Sequence, residues 1–280
     1  MPAYYFRKQI FWPQDHGSWV FILSPLLVGL FAGGHFYDAS FYLATATMAA
    51  FLIRQPVTIA VKAYSRRRAK DDLVPASLWI AAYGLIILIA LIGLIRTGFG
   101  ALLFLAIPGA PVFAWHLWLV SRREERKQAG VEILATGALS LAAPAAFWIG
   151  VGSYDPIGWW LWILVWLQTA ASIGYAYLRL EQRNLAKIPA RGDLWTMGFR
   201  AFAYTTVNFA AVLALGIVTD ALQGTFVLPR FLLLPYLVQW SETLWGIFHP
   251  AIGWKPTRIG IRQLIVSTLW TILFIVTWRL

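Results

Sequence analysis

Nine apolar stretches, each about as long as a bilayer is thick, follow one another through this chain with only short polar connections between them. They run roughly over 19–35, 41–62, 76–95, 99–119, 130–151, 157–178, 198–219, 226–248 and 260–279. A helix needs about 20 apolar residues to cross the hydrocarbon core, and in lipid only a helix or a closed barrel satisfies its own backbone. These stretches are continuous rather than short and alternating, which excludes a transmembrane β-barrel. The expectation is an all-α, polytopic transmembrane helical bundle of about nine helices, a single domain over residues 1–280. With 60% hydrophobic and only 12% charged residues, little is left over for a separate water-soluble domain, where charge runs near a quarter.

The placement of charge orients the bundle. The net charge is +11, which in a soluble protein would point to nucleic acid; here no nucleic-acid partner is expected, because the cations lie in the connections. If the N-terminus and every second connection share one face, that face holds Arg7, Lys8, Lys62, Arg66, Arg67, Arg68 and Lys70. It also holds Arg122, Arg123, Arg126, Lys127, Arg179, Arg183, Lys187, Arg191, Lys255 and Arg258. The opposite face receives only Arg96, Arg230 and Arg279, while Arg54, Arg200 and Arg262 fall inside spans. The positive-inside rule then puts the N-terminus in the cytoplasm and the C-terminus outside. The first span reads as retained rather than as a cleaved signal, because Asp15 and His16 precede it and Ala32-Gly33-Gly34-His35 offers no small-x-small cleavage pattern. With no cysteine in the chain, disulfides, thiolate metal sites and thiol nucleophiles are excluded.

Polar residues inside the spans carry what chemistry there is, since a charge at mid-helix costs roughly 2.5–3.5 kcal/mol on insertion scales. Span 2 carries Thr47, Arg54, Thr58 and Lys62 on one stripe, with Gln55 and Pro56 beside it. Span 5 carries Glu132, Thr136 and Ser140; span 6, Gln168, Ser172, Tyr175 and Arg179; span 7, Arg200, Tyr204 and Asn208; span 8, Gln239, Glu242, Gly246 and His249. With Asp15 and His16 entering span 1 and Arg262 and Gln263 in span 9, these stripes outline one basin open to the cytoplasm over a greasy outer half. Arg54, Lys62, Arg200, Arg258 and Arg262 are the candidate phosphate or anion ligands. Asp15, His16, Gln55, Glu132, Gln168, Tyr175, Tyr204, Asn208, Gln239, Glu242 and His249 are the candidate polar lining. Lys62, Arg179 and Arg258 also lie near enough to span ends to reach the interface by extension alone, and Glu132 suits the first turn of its helix through the helix dipole. Arg54 and Glu242 stand deepest and are expected to face each other.

Prolines 56, 108, 111, 144, 229 and 235 are expected to break their spans and free carbonyls around a cavity. No nucleotide loop is present, and the glycines read as close helix packing. Asp15, His16, Glu132, Glu242 and His249 could converge on a metal, but no HxxxH or ExxH spacing supports it. No cofactor and no metal site is assigned, and no residue is assigned a catalytic role.

Pro13-Gln14-Asp15-His16-Gly17-Ser18-Trp19, leading into Leu23-Ser24-Pro25-Leu26-Leu27-Val28-Gly29, resembles the opening signature of the YwiC-like family of bacterial membrane proteins. The run from Lys255-Pro256-Thr257 to Arg262-Gln263 resembles it too. The resemblance implies a multi-pass protein of the bacterial cytoplasmic (inner) membrane and no particular chemistry. A more distant likeness, of topology only, is to UbiA-type intramembrane prenyltransferases, which hold Mg²⁺ and a prenyl diphosphate with aspartate-rich motifs on helices 2 and 6. Here the first window reads Arg54-Gln55-Pro56 through Lys62 to Arg66-Arg67-Arg68 and only then Asp71-Asp72; the second reads Tyr175 to Glu181. Neither has a D-x-x-x-D, so Mg²⁺ is not expected and direct capture of phosphate by arginine is. Three functions follow as expectations: a binder of an isoprenoid or lipid phosphate, prenyltransferase-like and catalytic or not; a transporter of a small anion or metabolite; and a structural subunit packed against membrane-protein partners. The first is favoured because the cavity would be greasy and basic in the right order.

Overall fold

The computed structural model describes residues 5–13, 16–124, 129–222 and 229–280. All regular structure among them is helical. The main helices are α1 (Val20–Gly33), α2 (Asp38–Tyr64), α3 (Leu73–Arg96), α4 (Gly109–Arg122) and α5 (Ala129–Ser140). They continue with α6 (Ala142–Val151), α7 (Ile157–Gln182), α8 (Arg191–Leu222), α9 (Leu233–Phe248) and α10 (Pro256–Trp278). Every apolar stretch of the sequence is occupied by one of these, with α5 and α6 sharing the fifth. Seven segments are long and apolar enough to cross a membrane by length and composition. The helices α1 and α9, of 14 and 16 residues, are shorter. The molecule is an integral membrane protein with a polytopic helical bundle.

Two of the expected proline breaks occur. The fourth stretch splits into a 3₁₀ segment, Gly100–Ala106, and α4, which begins just after Pro108. The fifth splits at Leu141, three residues before Pro144, whose missing N–H falls in the first turn of α6, where a proline is tolerated. In contrast, α2 runs unbroken past Pro56, and Pro235 falls in the first turn of α9. Helix ends have local causes: Gly34 (φ 85°) follows α1 and Gly152 (φ 83°) follows α6, both in left-handed conformations that favour glycine.

The helix α1 is the axis of the fold, packed on α6, α5, α10 and α7. Its Gly29-x-x-x-Gly33 face meets α6 backbone to backbone: a Cβ at Gly29 would lie 2.1 Å from the Ala143 carbonyl oxygen, and one at Gly33 2.9 Å from the Gly150 Cα. Lipid offers helices no hydrophobic gain on association, so close van der Waals contact between small residues must supply the attraction. Polar ties fix the same helix to α10 through Ser24 and Thr271 (2.6 Å) and through the Arg279 guanidinium, which donates to the Phe31 carbonyl. Val28, Phe147, Leu161, Leu164, Trp270 and Phe274 fill the space between α1, α6, α7 and α10. The α2–α3 hairpin and α4 flank this centre, and the α8–α9 hairpin leans on α7 and α10.

The N-terminal segment lies against α2 and α3. The turn Lys8–Phe11 buries Ile10 against Ile59 and Ala76, while Trp79 and Tyr83 of α3 donate to the Tyr5 and Phe11 carbonyls. The loop after α2 is held by Arg67, which donates to the Val120 carbonyl, and by Asp72, which bridges Arg68 (2.5 Å) and Arg7 (3.6 Å).

Candidate functional site

The polar stripe of α7 sets the site. Gln168, Ser172, Tyr175, Arg179 and Gln182 recur at steps of four and three, share one face, and are all buried. That face meets α9 and α10. Gln168 donates to Gln239 of α9 at 3.0 Å, whose own amide reaches Thr243. Gln263 of α10 donates to Ser172. Tyr175 donates to the Glu242 carboxylate at 2.7 Å. The result is a seam of hydrogen bonds between three helices in place of the open basin expected from the stripes.

At its cation-rich end the seam becomes charged. Arg262 grips Glu242 with two bonds, Nε to Oε1 at 2.6 Å and Nη2 to Oε2 at 2.9 Å, the bidentate geometry that suits guanidinium and carboxylate. The Arg262 guanidinium also lies 4.0 Å from the ring centre of Trp245. Arg179, only 1% exposed, sends Nη1 to the Gly246 and His249 carbonyls, both at 2.7 Å, and to Gln182 at 2.9 Å. It thereby caps the C-terminal end of α9, where a cation is favoured by the helix dipole and by orphan carbonyls. Gly246 is required at this crossing, since a Cβ there would come within 2.3 Å of the Tyr175 hydroxyl oxygen.

Beside the pair, a cleft of about 560 Å³ opens between α9 and α10. Leu237, Val238, Val266 and Leu269 line one end; Glu242, Arg262 and Trp245 line the other. A second, larger cavity of about 780 Å³ sits across α7 from the seam. Trp159, Trp162 and Trp166 of α7 wall it together with Trp148, Phe99 and Phe104.

The remaining expected site residues scatter. Arg54 and Lys62 are half-buried on α2, with the Arg54 guanidinium 5.1 Å from the Phe51 ring. Glu242 therefore pairs with Arg262 rather than with Arg54. The physical reason is connectivity: α9 and α10 are consecutive packed helices, whereas α2 packs on α3, α1, α4 and α6. Gln55 donates to the Gln9 carbonyl at 2.9 Å and so fastens the N-terminal segment. Arg200 and Tyr204 are exposed on α8, while Asn208 is buried and donates to the Leu167 carbonyl at 2.6 Å. Glu132 is exposed and accepts from Tyr177 at 2.8 Å. His249 is exposed and stacks on Trp245 at 4.6 Å. Arg258 is exposed, with its guanidinium 4.0 Å from the Trp254 ring centre. Asp15 and the side chain of His16 lie outside the described residues. Among the described residues no three His, Asp or Glu side chains gather where they could hold a metal ion.

Sequence reasoning missed Arg179 as a site residue, together with Gln182, Trp245 and Trp254. The signal for Arg179 was its exact register with Gln168, Ser172 and Tyr175, which placed it on the buried face.

A family model described as YwiC-like protein matches residues 12–147. The uncharacterized protein YwiC of Bacillus subtilis (strain 168) is 26% identical over 157 residues, 54% of this chain and 59% of that protein. The match thus spans about three-fifths of that relative's length. No solved structure matches the chain. The matched family segment takes in α1 to α5 and part of α6, and with them the Pro13–Gly29 signature. The seam of α7, α9 and α10 lies beyond it.

Proposed function

From a chain that is YwiC-like over residues 12–147, we propose a membrane protein that binds an amphiphile with an anionic head, an isoprenoid or lipid phosphate, in the cleft between α9 and α10. The observation that carries this reading is the direction of polarity along the cleft, from Leu237 and Leu269 at one end to Glu242 and Arg262 at the other. An apolar tail is attracted to the first and a phosphate to the second. The protein sits in a bacterial cytoplasmic membrane with the arginine end of this cleft toward the cytoplasm, as the distribution of cations favours. The transport reading needs a polar route through the other half of the bundle, where Leu161, Leu164 and Val165 of α7 are fully buried, and is less well supported.

Mass spectrometry of the purified protein tests the proposal. A phosphate-bearing lipid or isoprenoid should accompany wild type, survive EDTA because arginine rather than Mg²⁺ holds it, and be lost from a Val266→Trp variant that fills the cleft. A neutral companion, or retention by that variant, overturns it. The orientation is tested separately, on a chain free of native cysteine. Cysteines at Ala69 and Ala190 should be shielded from an impermeant thiol reagent in intact cells and one at Ser153 should label; Gln128, an equivalent cytoplasmic position, is outside the described residues.

A further inference from the structure

The tryptophan wall of the larger cavity is fixed by carbonyls of α5. Where α5 gives way to α6, Leu141 turns its N–H to the Ala138 carbonyl at 3.3 Å, and the Gly137 carbonyl accepts from Trp162 at 2.9 Å. Trp166 donates to the Ile133 carbonyl at 2.8 Å. Gly137 makes room for that ring, since a Cβ there would lie 2.6 Å from Trp166 Cε2. With their N–H groups tied to α5, the Trp162 and Trp166 rings stack with centres 5.3 Å apart at 21°. Trp148 and Trp159 extend the wall edge to face, also at 5.3 Å. Rings held in this way offer their faces, where the indole quadrupole is negative.

Hydroxyls occur at one end of the cavity only. Ser153 and Tyr154 stand there, at the turn between α6 and α7, with Trp148 and Trp159 beside them. Tyr154 accepts from Trp159 at 3.2 Å, so its own O–H remains to donate. From Trp159 through Trp162 to Trp166 the wall continues for about 10 Å along α7, in company with Val112, Leu134 and Ala138. None of the described lining residues is charged. Phe104 and Leu134 line the cavity and are exposed, so the space opens to the side of the bundle, where lipid is the solvent. Its volume of about 780 Å³ suits a small molecule, for which sites of roughly 300–1,000 Å³ are usual.

We propose that this cavity binds a neutral lipid whose head is a flat, electron-poor ring carrying carbonyl oxygens, a quinone with an apolar tail. It is a second site, independent of the α9/α10 cleft. The ring lies against Trp148 and Trp159, an electron-poor face on electron-rich ones, and a carbonyl oxygen accepts from Tyr154. The tail runs along Trp162 and Trp166 toward Leu134. A phosphate head is disfavoured, because no described lining residue is a cation and an unpaired buried charge is costly. In the orientation proposed above, the connection 152–156, which holds no Lys or Arg, lies on the face opposite the cation-rich connections. The hydroxyl end is then at the membrane surface and the apolar end toward its middle, as an amphiphile in that leaflet requires.

The test uses the full chain in nanodiscs and two probes with the same tail of two isoprene units, one on benzoquinone and one on plain benzene. Saturable quenching of tryptophan fluorescence reads the quinone, and competition against it reads the hydrocarbon. Wild type should bind the quinone about tenfold more tightly, through one neutral hydrogen bond and a better-matched stack. Tyr154→Phe, at a position 65% exposed, should weaken the quinone about fivefold, the worth of one such bond, and leave the hydrocarbon unchanged. Ala138→Phe, which fills the apolar end, should weaken both. Quenching that never saturates, equal affinity for the two probes, or a quinone affinity unchanged in either variant overturns the site. Quinone displaced by Val266→Trp would belong to the α9/α10 cleft and overturns it too. Quinone retained by that variant while a phosphate-bearing lipid is lost supports two separate sites, and loss of neither refutes the cleft reading alone.

Discussion

The two halves of α7 solve opposite problems with the same helical geometry. Toward its C-terminal end Gln168, Ser172, Tyr175, Arg179 and Gln182 face α9 and α10, and most of their polar groups are spent on side chains and carbonyls of those helices, Gln168 Oε1 and Arg179 Nε and Nη2 excepted. Toward its N-terminal end Trp159, Trp162 and Trp166 face the other way. There each indole N–H is consumed locally: Trp162 donates to the Gly137 carbonyl at 2.9 Å, Trp166 to that of Ile133 at 2.8 Å, and Trp159 to the Tyr154 hydroxyl at 3.2 Å. Trp148, on the facing wall, donates to the Asp155 carbonyl at 2.6 Å. The larger cavity is therefore walled mostly by apolar ring faces whose indole N–H groups are already used, with Ser153 and Tyr154 as its hydroxyls. The smaller cleft ends at a charged pair, Glu242 and Arg262. Size alone would direct attention to the tryptophan cavity; charge directs it to the cleft that ends at Glu242 and Arg262.

The largest effect that would break this comparison is expected at Arg179. Replacing it with leucine removes the cap from the Gly246 and His249 carbonyls and should lower stability by about 3 kcal/mol, the order of two buried acceptors left short of a charged donor. Thermal unfolding followed by tryptophan fluorescence reads this directly. An unaltered midpoint would show that the end of α9 needs no cap. Next comes the ion pair. Glu242→Leu strands a guanidinium whose side chain is 34% exposed, and should lower stability by about 2 kcal/mol, less than the 3–5 kcal/mol typical of full burial. Adding Arg262→Leu should restore much of that, since both charges then leave together. A double variant less stable than the single one would mean that Arg262 is held chiefly by Trp245.

On the other half of α7 the expected change is smaller. Trp166→Phe removes one neutral hydrogen bond to a carbonyl and should lower stability by about 1 kcal/mol, with the cavity still apolar. If it proved as damaging as Arg179→Leu, the two halves would not differ in the way described. The smallest change belongs to Arg258→Gln, which is exposed and should stay within about 0.5 kcal/mol of wild type. Circular dichroism melts in detergent suffice to rank these variants.

Much of this architecture was legible in the residues. The apolar stretches marked most helices to within a few residues, except that the fourth becomes α-helical only at Gly109, the fifth divides in two, the seventh starts its helix early at Arg191 and the eighth only at Leu233. The register of Gln168, Ser172 and Tyr175 named the buried face of α7 before any neighbour was known. Periodicity gives the direction in which a side chain points and is silent on what stands there, so Glu242 was matched with Arg54, the other deep charge, instead of Arg262. Arg179 was assigned to the interface because the apolar stretch ends at 178, yet α7 continues to Gln182, and the segment between α9 and α10 folds over it. Gly253, in that segment, donates its N–H to the Arg183 carbonyl at 3.2 Å. Prolines misled at position 56, where the helix simply continues.

The ties that bind α1 to α10 also set a clock. Ser24 and Thr271 are 247 residues apart in the chain, and Phe31 and Arg279 are 248 apart. At ribosomal speeds of 5–20 residues per second, α1 waits on the order of tens of seconds in the membrane before its partner is synthesised. During that interval its Ser24 hydroxyl must be tolerated in lipid, and its glycine face is available to any small-residue helix nearby. The α6 backbone, which is made about midway through the interval, is the natural holding partner until α10 arrives to close the bundle.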